Sequence, residues 1–387
     1  MRVVKLILPA AVAAVVAVGL SSPAWAAASW TVVPSANSSS QDSLGAVSLL
    51  SGHDAWAVGS ARSIISGSQQ ERPLIEHYTG TSWKVVPSPS PAGYPFAELS
   101  SVLALSTTNV WAVGEYHTAN DLAHIYPLAE HYDGSTWSIV SAPLVQPRGG
   151  FAAITGTSAT DLWAVGSTGS KPRTGATVNN PLAEHYDGTS WSVVPTPALT
   201  LAGLNAVTAI APNNVWAVGY APATGVVLHY DGTAWSQVAA PAPVTGSNWQ
   251  FSSVTATPTG QVWAAGYYTG TDGISEHSFV EHFNGSTWSV TQLPAKSSGN
   301  IITGISGITA ISDTDIWVVG NTGTGNQQFN TLTEHFNGTN WQVVASPSPN
   351  TADGLSDVAA SGGVVWAVGG TAPANTTATQ TLTELHS

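Results

Sequence analysis

The segments that decide the fold are VWAVG at residues 110–114 and AEHYDGSTWSIV at residues 129–140. The first is an apolar run that ends in glycine. The second holds an apolar segment, a polar Asp-Gly turn and a segment that begins with tryptophan. β-Branched and aromatic residues bounded by Gly and Asp turns are typical of short strands. These segments therefore predict three short β-strands.

Both segments recur along the chain. WAVG or a near copy starts at seven tryptophans, 47 to 55 residues apart: Trp56, Trp111, Trp163, Trp216, Trp263, Trp317 and Trp366. A Glu-His-aromatic segment follows in most copies, and a tryptophan-led segment then starts at Trp83, Trp137, Trp191, Trp235, Trp288 and Trp341. An apolar strand such as residues 204–210 precedes each WAVG. Four short strands repeated about every fifty residues are the signature of a β-propeller blade.

The seventh tryptophan-led segment is displaced to the start of the repeats, at Trp30–Pro34. The last repeat has three strands and then reaches Ser387, so its missing fourth strand is the one at Trp30. We therefore predict an all-β, seven-bladed β-propeller with four-stranded blades, in which the N-terminal strand closes the last blade (3+1 closure). This closure leaves no exposed sheet edge. Fourteen of the sixteen tryptophans belong to the repeat.

Residues 1–26 have the features of a secretory signal peptide. Arg2 and Lys5 precede an apolar run at 6–20, and Ala24-Trp25-Ala26 is a small-x-small cleavage site. We predict cleavage after Ala26, a secreted protein without a membrane span, and one propeller domain over residues 27–387. A retained membrane anchor is the alternative, but Pro9 interrupts a run that is short for a spanning helix.

Charge and composition exclude several classes of function. Cleavage leaves 22 acidic and 7 basic residues, which is a net charge of −15 from 22 minus 7. Nucleic-acid binding depends on clustered Lys and Arg, so we expect no nucleic-acid partner. The chain has no cysteine, which excludes disulfides, zinc-thiolate sites and a cysteine nucleophile.

The repeat resembles those of kelch-type propellers in its length, its glycine-terminated second strand and its Tyr-to-Trp spacing of five, as from Tyr132 to Trp137. Kelch repeats carry a glycine pair after that strand, which occurs here only at Gly369-Gly370. The turn at 133–137 is similar to a shortened Asp-box of sialidase-like propellers. The chain thus looks like a secreted bacterial propeller of this broad kind. The resemblance implies a fold and no single function, because such families include sugar-binding, enzymatic and adhesive members.

Residues that recur once per blade are interpreted as architecture. Equivalent positions in a ring lie too far apart to hold one metal ion. The histidines are therefore expected to form inter-blade or inter-strand hydrogen bonds, and we predict no metal and no cofactor; they are His77, His131, His185, His229, His282 and His335. The recurrent glutamates fall under the same interpretation. Asp54, Asn109 and their counterparts before the second strand are expected to bond the local backbone of a turn.

Binding residues are expected where the repeats differ, which is in the loops between the second and third strands and between successive blades. These loops share one face, here called the loop face. Its aromatic and polar residues suit the apolar C–H faces and hydroxyl edges of sugars; the candidates are Tyr94, Phe96, Tyr116, His117, Tyr126, Arg148, Trp249, Tyr267 and Tyr268. The alternative is that these aromatic rings only pack the loops against the blades.

The sequence favours a secreted, monomeric, non-catalytic module that binds carbohydrate or a cell-surface partner. One alternative is a polysaccharide hydrolase or lyase, and another is a structural or adhesive protein. No catalytic residue is predicted, because no spacing is diagnostic in the two loops that combine carboxylates and histidines. Those loops hold Glu115, His117, Asp121 and His124, and Asp272, Glu276 and His277.

Overall fold

The chain forms β-strands throughout its described part. The computed structural model describes residues 29–118, 124–144, 148–170, 178–294, 302–324, 328–373, 376 and 378–387. Within these ranges there are 28 strands. No helix long and apolar enough to cross a membrane occurs in them. The predicted leader at 1–26 lies outside the described residues.

The strands follow the repeat in chain order. The first is β1 (Trp30–Val32). The first repeat then contains β2 (Gln41–Ser51), β3 (Asp54–Ile65), β4 (Ser68–Tyr78) and β5 (Trp83–Val85), and the second β6 (Phe96–Ser106), β7 (Asn109–His117), β8 (Ile125–Tyr132) and β9 (Trp137–Ile139). The third contains β10 (Arg148–Ser158), β11 (Asp161–Ser170), β12 (Val178–Tyr186) and β13 (Trp191–Val193), and the fourth β14 (Gly203–Ala211), β15 (Asn214–Ala221), β16 (Thr224–Tyr230) and β17 (Trp235–Val238). The fifth contains β18 (Trp249–Ala256), β19 (Val262–Thr269), β20 (Glu276–Phe283) and β21 (Trp288–Gln292), and the sixth β22 (Ile302–Ser312), β23 (Asp315–Gly323), β24 (Phe329–Phe336) and β25 (Trp341–Val344). The last contains β26 (Ala352–Ser361), β27 (Val364–Ala372) and β28 (Gln380–His386).

Each repeat is an antiparallel meander of its strands in sequence order. In the fourth repeat, for example, Trp216 of β15 is paired with Thr208 of β14 and with His229 of β16. The strand β1 pairs antiparallel with β28, with Trp30 opposite His386. The architecture is an all-β array of four-stranded sheets, consistent with a β-propeller.

Tryptophans link each repeat to the next. The tryptophan of the second strand packs edge-on against the tryptophan that begins the fourth strand of the following repeat, as in Trp56 with Trp137 at 5.6 Å between ring centroids. The first and last repeats are joined in the same way, because Trp366 contacts Trp83 at 5.2 Å. T-shaped aromatic pairs contribute beyond the area that they bury. This packing explains why two tryptophans recur in each repeat.

The first strands of the repeats line a central cavity of about 210 Å³. Each of them has a register shift typical of a β-bulge, as between Leu204 and Ala206. Side chains next to these shifts cross to neighbouring repeats. The Ser253 hydroxyl accepts a hydrogen bond from the Ile308 amide at 3.3 Å, and an Asp357 carboxylate oxygen accepts one from the Val47 amide at 3.0 Å. The first strands are thus joined sideways without a continuous ladder.

The glycine of WAVG allows close strand approach. A Cβ built on Gly219 would lie 2.0 Å from the Gly203 carbonyl oxygen. Gly219→Ala is expected to lower the free energy of unfolding by roughly 2–4 kcal/mol, because the backbone has to move apart. Gly45→Ala is the control, since its nearest atom would lie at 3.7 Å. Urea unfolding measures both changes, and equal losses in the two variants would contradict the close-approach explanation.

Candidate functional site

Most of the predicted ligand residues come together at one end of the second repeat. Register places Phe96 opposite His117, and it places Tyr116 opposite both Ala97 and Tyr126. Arg148 begins the first strand of the next repeat. The loop face therefore brings these side chains into one neighbourhood, although they come from four strands.

Three tyrosines form a cluster on one side of this sheet, here called the tyrosine cluster. Tyr116 and Tyr126 stack with ring centroids 5.2 Å apart, and Tyr94 meets their edges at 4.7 and 5.6 Å. All three side chains are half-buried. Burial raises the pKa of Tyr116, so its hydroxyl keeps its proton. The cluster offers partly exposed rings and hydroxyl groups to a ligand.

A small polar pocket, here called the glutamate pocket, lies at the same end of the sheet. It has a volume of about 100 Å³ and is lined by Arg62, Glu71, Phe96, Ala97, Glu98, Glu115 and His117. Strand pairing sets Glu98 of β6 opposite Glu115 of β7. The rings of Phe96 and His117 stack at 5.2 Å beside them. Paired residues on adjacent strands project to the same face, so the two carboxylates share one pocket.

Arginines from two repeats balance these carboxylates. Arg62 donates to Glu71 with 2.8 Å between Nε and Oε1, and this hydrogen bond raises the pKa of Arg62. Arg148 lies with Glu115 in an adjoining cavity of about 60 Å³. The backbone fixes Glu71 as well, because its amide donates to the Pro95 carbonyl at 2.9 Å. The charged groups are thus held by paired strands and are not carried on free loops.

Burial changes the acidity of the two paired carboxyls. Desolvation, assisted by the nearby Glu71 and Glu115 charges, raises the pKa of Glu98 to about 7. Burial also raises the pKa of Glu115, while His117 and Arg148 oppose the rise. Near neutral pH, Glu98 is therefore present in both its protonated and its ionised form. A carboxyl of this kind can donate or accept a hydrogen bond, and it can transfer a proton.

Sequence reasoning missed the glutamate pocket as a unit. It selected Phe96, His117 and Arg148 but left out Arg62, Glu71 and Glu98. These three residues lie in strands rather than in loops. A usable signal was that Glu98 lies two residues after Phe96, which puts both side chains on the same face of a strand.

The fifth repeat contributes little to this face. Trp249 begins β18 instead of lying in a loop, and Trp249 and Tyr268 are each only 7% exposed. Trp249 packs on Phe251 at 5.2 Å and on Phe279 at 5.8 Å. Tyr267 is half-buried and accepts a hydrogen bond from the Gln250 side-chain amide. The rings of Trp249 and Tyr268 therefore pack in the core and do not form part of the surface.

The acidic loop of the fifth repeat is a stabilised turn. The Asp272 carboxylate accepts bonds from the Ile274 and Ser275 amides, each at 2.9 Å. The Ser275 hydroxyl donates to Asp272 at 2.9 Å and lies 3.1 Å from His277 Nε2. In the second repeat, His124 is exposed, and the predicted candidate Asp121 lies outside the described residues.

The recurrent histidines form inter-strand hydrogen bonds, as predicted. His77 Nε2 lies 2.8 Å from Asp54 Oδ1, and His229 Nε2 lies 2.9 Å from Asn214 Oδ1. The expectation that these Asp and Asn side chains bond local backbone was wrong, because they pair with the histidine of the neighbouring strand. Each imidazole also packs on the tryptophan beside it, as His77 does on Trp56 at 3.9 Å. Among the described residues, no group of three His, Asp or Glu side chains could hold a metal ion.

Comparison with known proteins gives a likeness of fold. No family model matches the chain, and no curated protein matches it. Among solved structures, YCF48 bound to a D1 peptide matches with a TM-score of 0.54 at 12% identity, over 92% of this chain and 96% of that chain. A protein of unknown function from Dyadobacter fermentans matches at 0.49 and 11%, over 92% and 98% of the two chains. The Penicillium chrysogenum α-L-arabinanase in complex with arabinobiose matches at 0.47 and 11%, over 74% and 91%. The first of these likenesses supports a propeller-type fold.

Proposed function

We propose that the seven repeats form the seven blades of one closed propeller over residues 27–387, with β1 as the outer strand of the last blade. Four observations support this arrangement. They are the pairing of β1 with β28, the Trp366–Trp83 contact between the last and first repeats, the bond from the Val47 amide to Asp357, and the cavity lined by the first strand of every repeat. The Asp-box-like turns agree with it, since the Asp133 carboxylate accepts bonds from the Ser135 and Thr136 amides.

We propose further that the protein is secreted after loss of residues 1–26 and binds carbohydrate through the loop face. The observation that carries this proposal is that the glutamate pocket and the tyrosine cluster lie at the same end of one sheet, on its two faces. Carboxylates and guanidinium groups form directed hydrogen bonds with the hydroxyl edges of a sugar, and aromatic faces cover its C–H surface. Because Glu98 exists in both forms near neutral pH, it can complement a hydroxyl as donor or acceptor.

A second candidate is a polysaccharide-active enzyme, and one specific observation favours it. Glu98 and Glu115 are opposed on adjacent strands, and the pKa of each is raised. Two carboxyls of this kind can serve as the acid and the base of glycoside hydrolysis. In that reaction the acid gives its proton to the leaving oxygen as the C1–O bond breaks, and the base takes a proton from the water molecule whose oxygen bonds to C1.

A glycan and polysaccharide binding screen of the mature protein tests the first proposal, and a reducing-sugar assay on the same panel tests the second. We expect Tyr116→Ala to weaken binding of any hit by roughly tenfold or more, because it removes the central ring of the tyrosine cluster.

We expect Glu98→Gln to lower any hydrolysis by about 100-fold or more, because glutamine cannot transfer the proton.

Ile274→Ala is the matched control, since this side chain is 62% exposed in the fifth repeat and lies away from the glutamate pocket. Its binding is expected to equal that of the wild type. An empty screen would remove the carbohydrate proposal. If Glu98→Gln releases reducing ends as fast as the wild type does, the catalytic assignment of Glu98 is wrong.

A further inference from the structure

A second concave surface lies between the fifth and sixth repeats, here called the rim groove. It has a volume of about 400 Å³, and its walls include Trp263, Phe336 and Trp341 together with Thr291, Gln292 and Asn340. The turns between third and fourth strands contribute to it, so it lies at the sheet ends opposite the loop face. Its volume falls within the range of roughly 300–1,000 Å³ that is common for small-molecule sites.

The rim groove exists because one repeat departs from the pattern of the others. Three residues after the tryptophan of the fourth strand, the other copies carry a valine that is half-buried in the apolar cluster between repeats. These valines are Val33, Val86, Val140, Val194, Val238 and Val344. The fifth repeat has Thr291 at this position, and its side chain is exposed. A hydroxyl without a partner is costly to bury, so no valine packs at this position here, and Leu293, two residues further on, packs in the cluster of this junction instead.

Aromatic surface is accessible in the rim groove. Trp341 and Trp288 are half-buried, whereas the corresponding tryptophans of the other five copies are at most 6% exposed. The Trp263–Trp341 centroid distance is 6.1 Å, and the equivalent pairs of the other junctions span 5.2 to 5.9 Å. The rim groove therefore presents an indole face that five of the other six junctions cover.

The chemistry of the walls favours an uncharged ligand. None of the described residues that line the rim groove is Asp, Glu, Lys or Arg. Its one titratable wall residue, His282, has its pKa lowered by burial, and its Nε2 is hydrogen-bonded to Gln261. The remaining polar groups are hydroxyls and amides that both donate and accept hydrogen bonds.

We infer that the rim groove is a binding site for a neutral oligosaccharide. One sugar ring packs its C–H face on Trp341, and its hydroxyls bond Asn340, Gln292 and Thr291. This inference is independent of the loop-face site, with which it shares only the class of ligand.

The test uses the mature protein and neutral probes, namely cellohexaose, xylohexaose, mannohexaose and chitohexaose, with calorimetry and tryptophan fluorescence as readouts. Thr291→Phe places a ring in the rim groove from an exposed position, so the fold should tolerate it. We expect it to weaken binding of the active probe by about tenfold or more. Thr291→Ser keeps the hydroxyl and adds no bulk, so it is expected to stay within about threefold of the wild type.

The variants separate the two proposed sites. A fluorescence change that is lost in Thr291→Phe and kept in Tyr116→Ala supports the rim groove. Binding that survives Thr291→Phe but is lost in Tyr116→Ala overturns the rim groove and leaves the loop-face proposal standing. Failure of every neutral probe to bind the wild type also overturns the inference. Unchanged melting temperatures in the variants show that the comparison is made between folded proteins.

Discussion

Deletion of residues 29–34 is expected to destabilise the whole protein and not only its N-terminus. Trp30 is 4% exposed and packs against Trp317 at 5.6 Å. The Val33 amide and carbonyl both bond Thr383 of β28, at 2.9 and 2.6 Å. Loss of β1 leaves the edge of β28 unpaired and opens the junction between the sixth and last repeats. We expect the melting temperature to fall by roughly 10 °C or more.

A point variant separates the closure from general effects of truncation. Trp30→Ala is expected to cost roughly 3–5 kcal/mol, the usual loss for a large buried aromatic side chain. Trp235→Ala is the matched control, because Trp235 holds the same position in an internal blade and is 5% exposed. Calorimetry should give the two variants similar losses. A Trp30→Ala protein that melts like the wild type would show that the terminal strand does not close a ring.

The repeat made the strands predictable from the sequence. The spacing of WAVG and the displaced copy at Trp30 are properties of the sequence, and both predicted where strands lie and which ones pair. The role of the recurrent histidines was predictable for the same reason, since a residue present in every repeat has to serve the repeat. The seven-blade count and the closure remain proposals, and the deletion of β1 tests the closure.

The candidate site was less predictable because it depends on the ends of strands. A loop rich in aromatic residues cannot be distinguished by sequence from a strand that enters the core. Trp249 illustrates this point, since it was assigned to a loop but starts β18 and packs on Phe279. Glu98 shows the converse, because it lies within a strand and was not selected. Its importance follows from Glu115 on the opposite strand, which only the register reveals.

The sequence did not predict the rim groove, for a different reason. Thr291 differs from the valine of the other repeats by one hydroxyl group in place of a methyl group. The resulting opening depends on whether that side chain packs against the next repeat, and a pattern of residue types does not report packing. In repeat proteins of this kind, a position at which one repeat differs from the others therefore indicates a candidate binding site better than the shared residues do.

The stability of the protein is expected to fall as the pH rises from about 5 to 8. The recurrent glutamates are fully buried, and desolvation raises the pKa of Glu184 and of Glu281 to about 8. In the unfolded chain a glutamate ionises near 4.5. Between these values the folded state holds more protons than the unfolded state, so stability decreases with rising pH. Glu130 and Glu384, also with pKa values of about 8, add to the same trend.

Other titrating groups do not reverse this trend. Hydrogen bonds from Thr136 and Ser135 lower the pKa of the exposed Asp133 to about 2. Asp133 therefore stays ionised between pH 5 and pH 8, and the stability that its charge contributes is lost only at lower pH. Burial lowers the pKa of four histidines, which favours folding as the pH rises through about 6.5 and opposes the glutamates there; they are His131, His229, His282 and His386. The glutamate shifts span a wider range of pH. We therefore expect a net loss on the order of several kcal/mol between pH 5 and pH 8.

Glu184→Gln isolates one member of the set. Both Glu184 carboxyl oxygens are buried and have no hydrogen-bond partner among the described residues, and Ala142 occupies the place where Ser88 binds the equivalent Glu130 at 2.8 Å. The amide cannot ionise, so the variant should lose less stability between pH 5 and pH 8 than the wild type. Asp133→Asn is the control, since Asp133 does not titrate between pH 5 and pH 8. This variant should show the same difference in stability between the two pH values as the wild type. Thermal unfolding at closely spaced pH values measures the slopes. If stability depends on pH with the same slope in Glu184→Gln and in the wild type, Glu184 has the same pKa in the folded and the unfolded chain. Water would then reach this carboxyl in the folded protein.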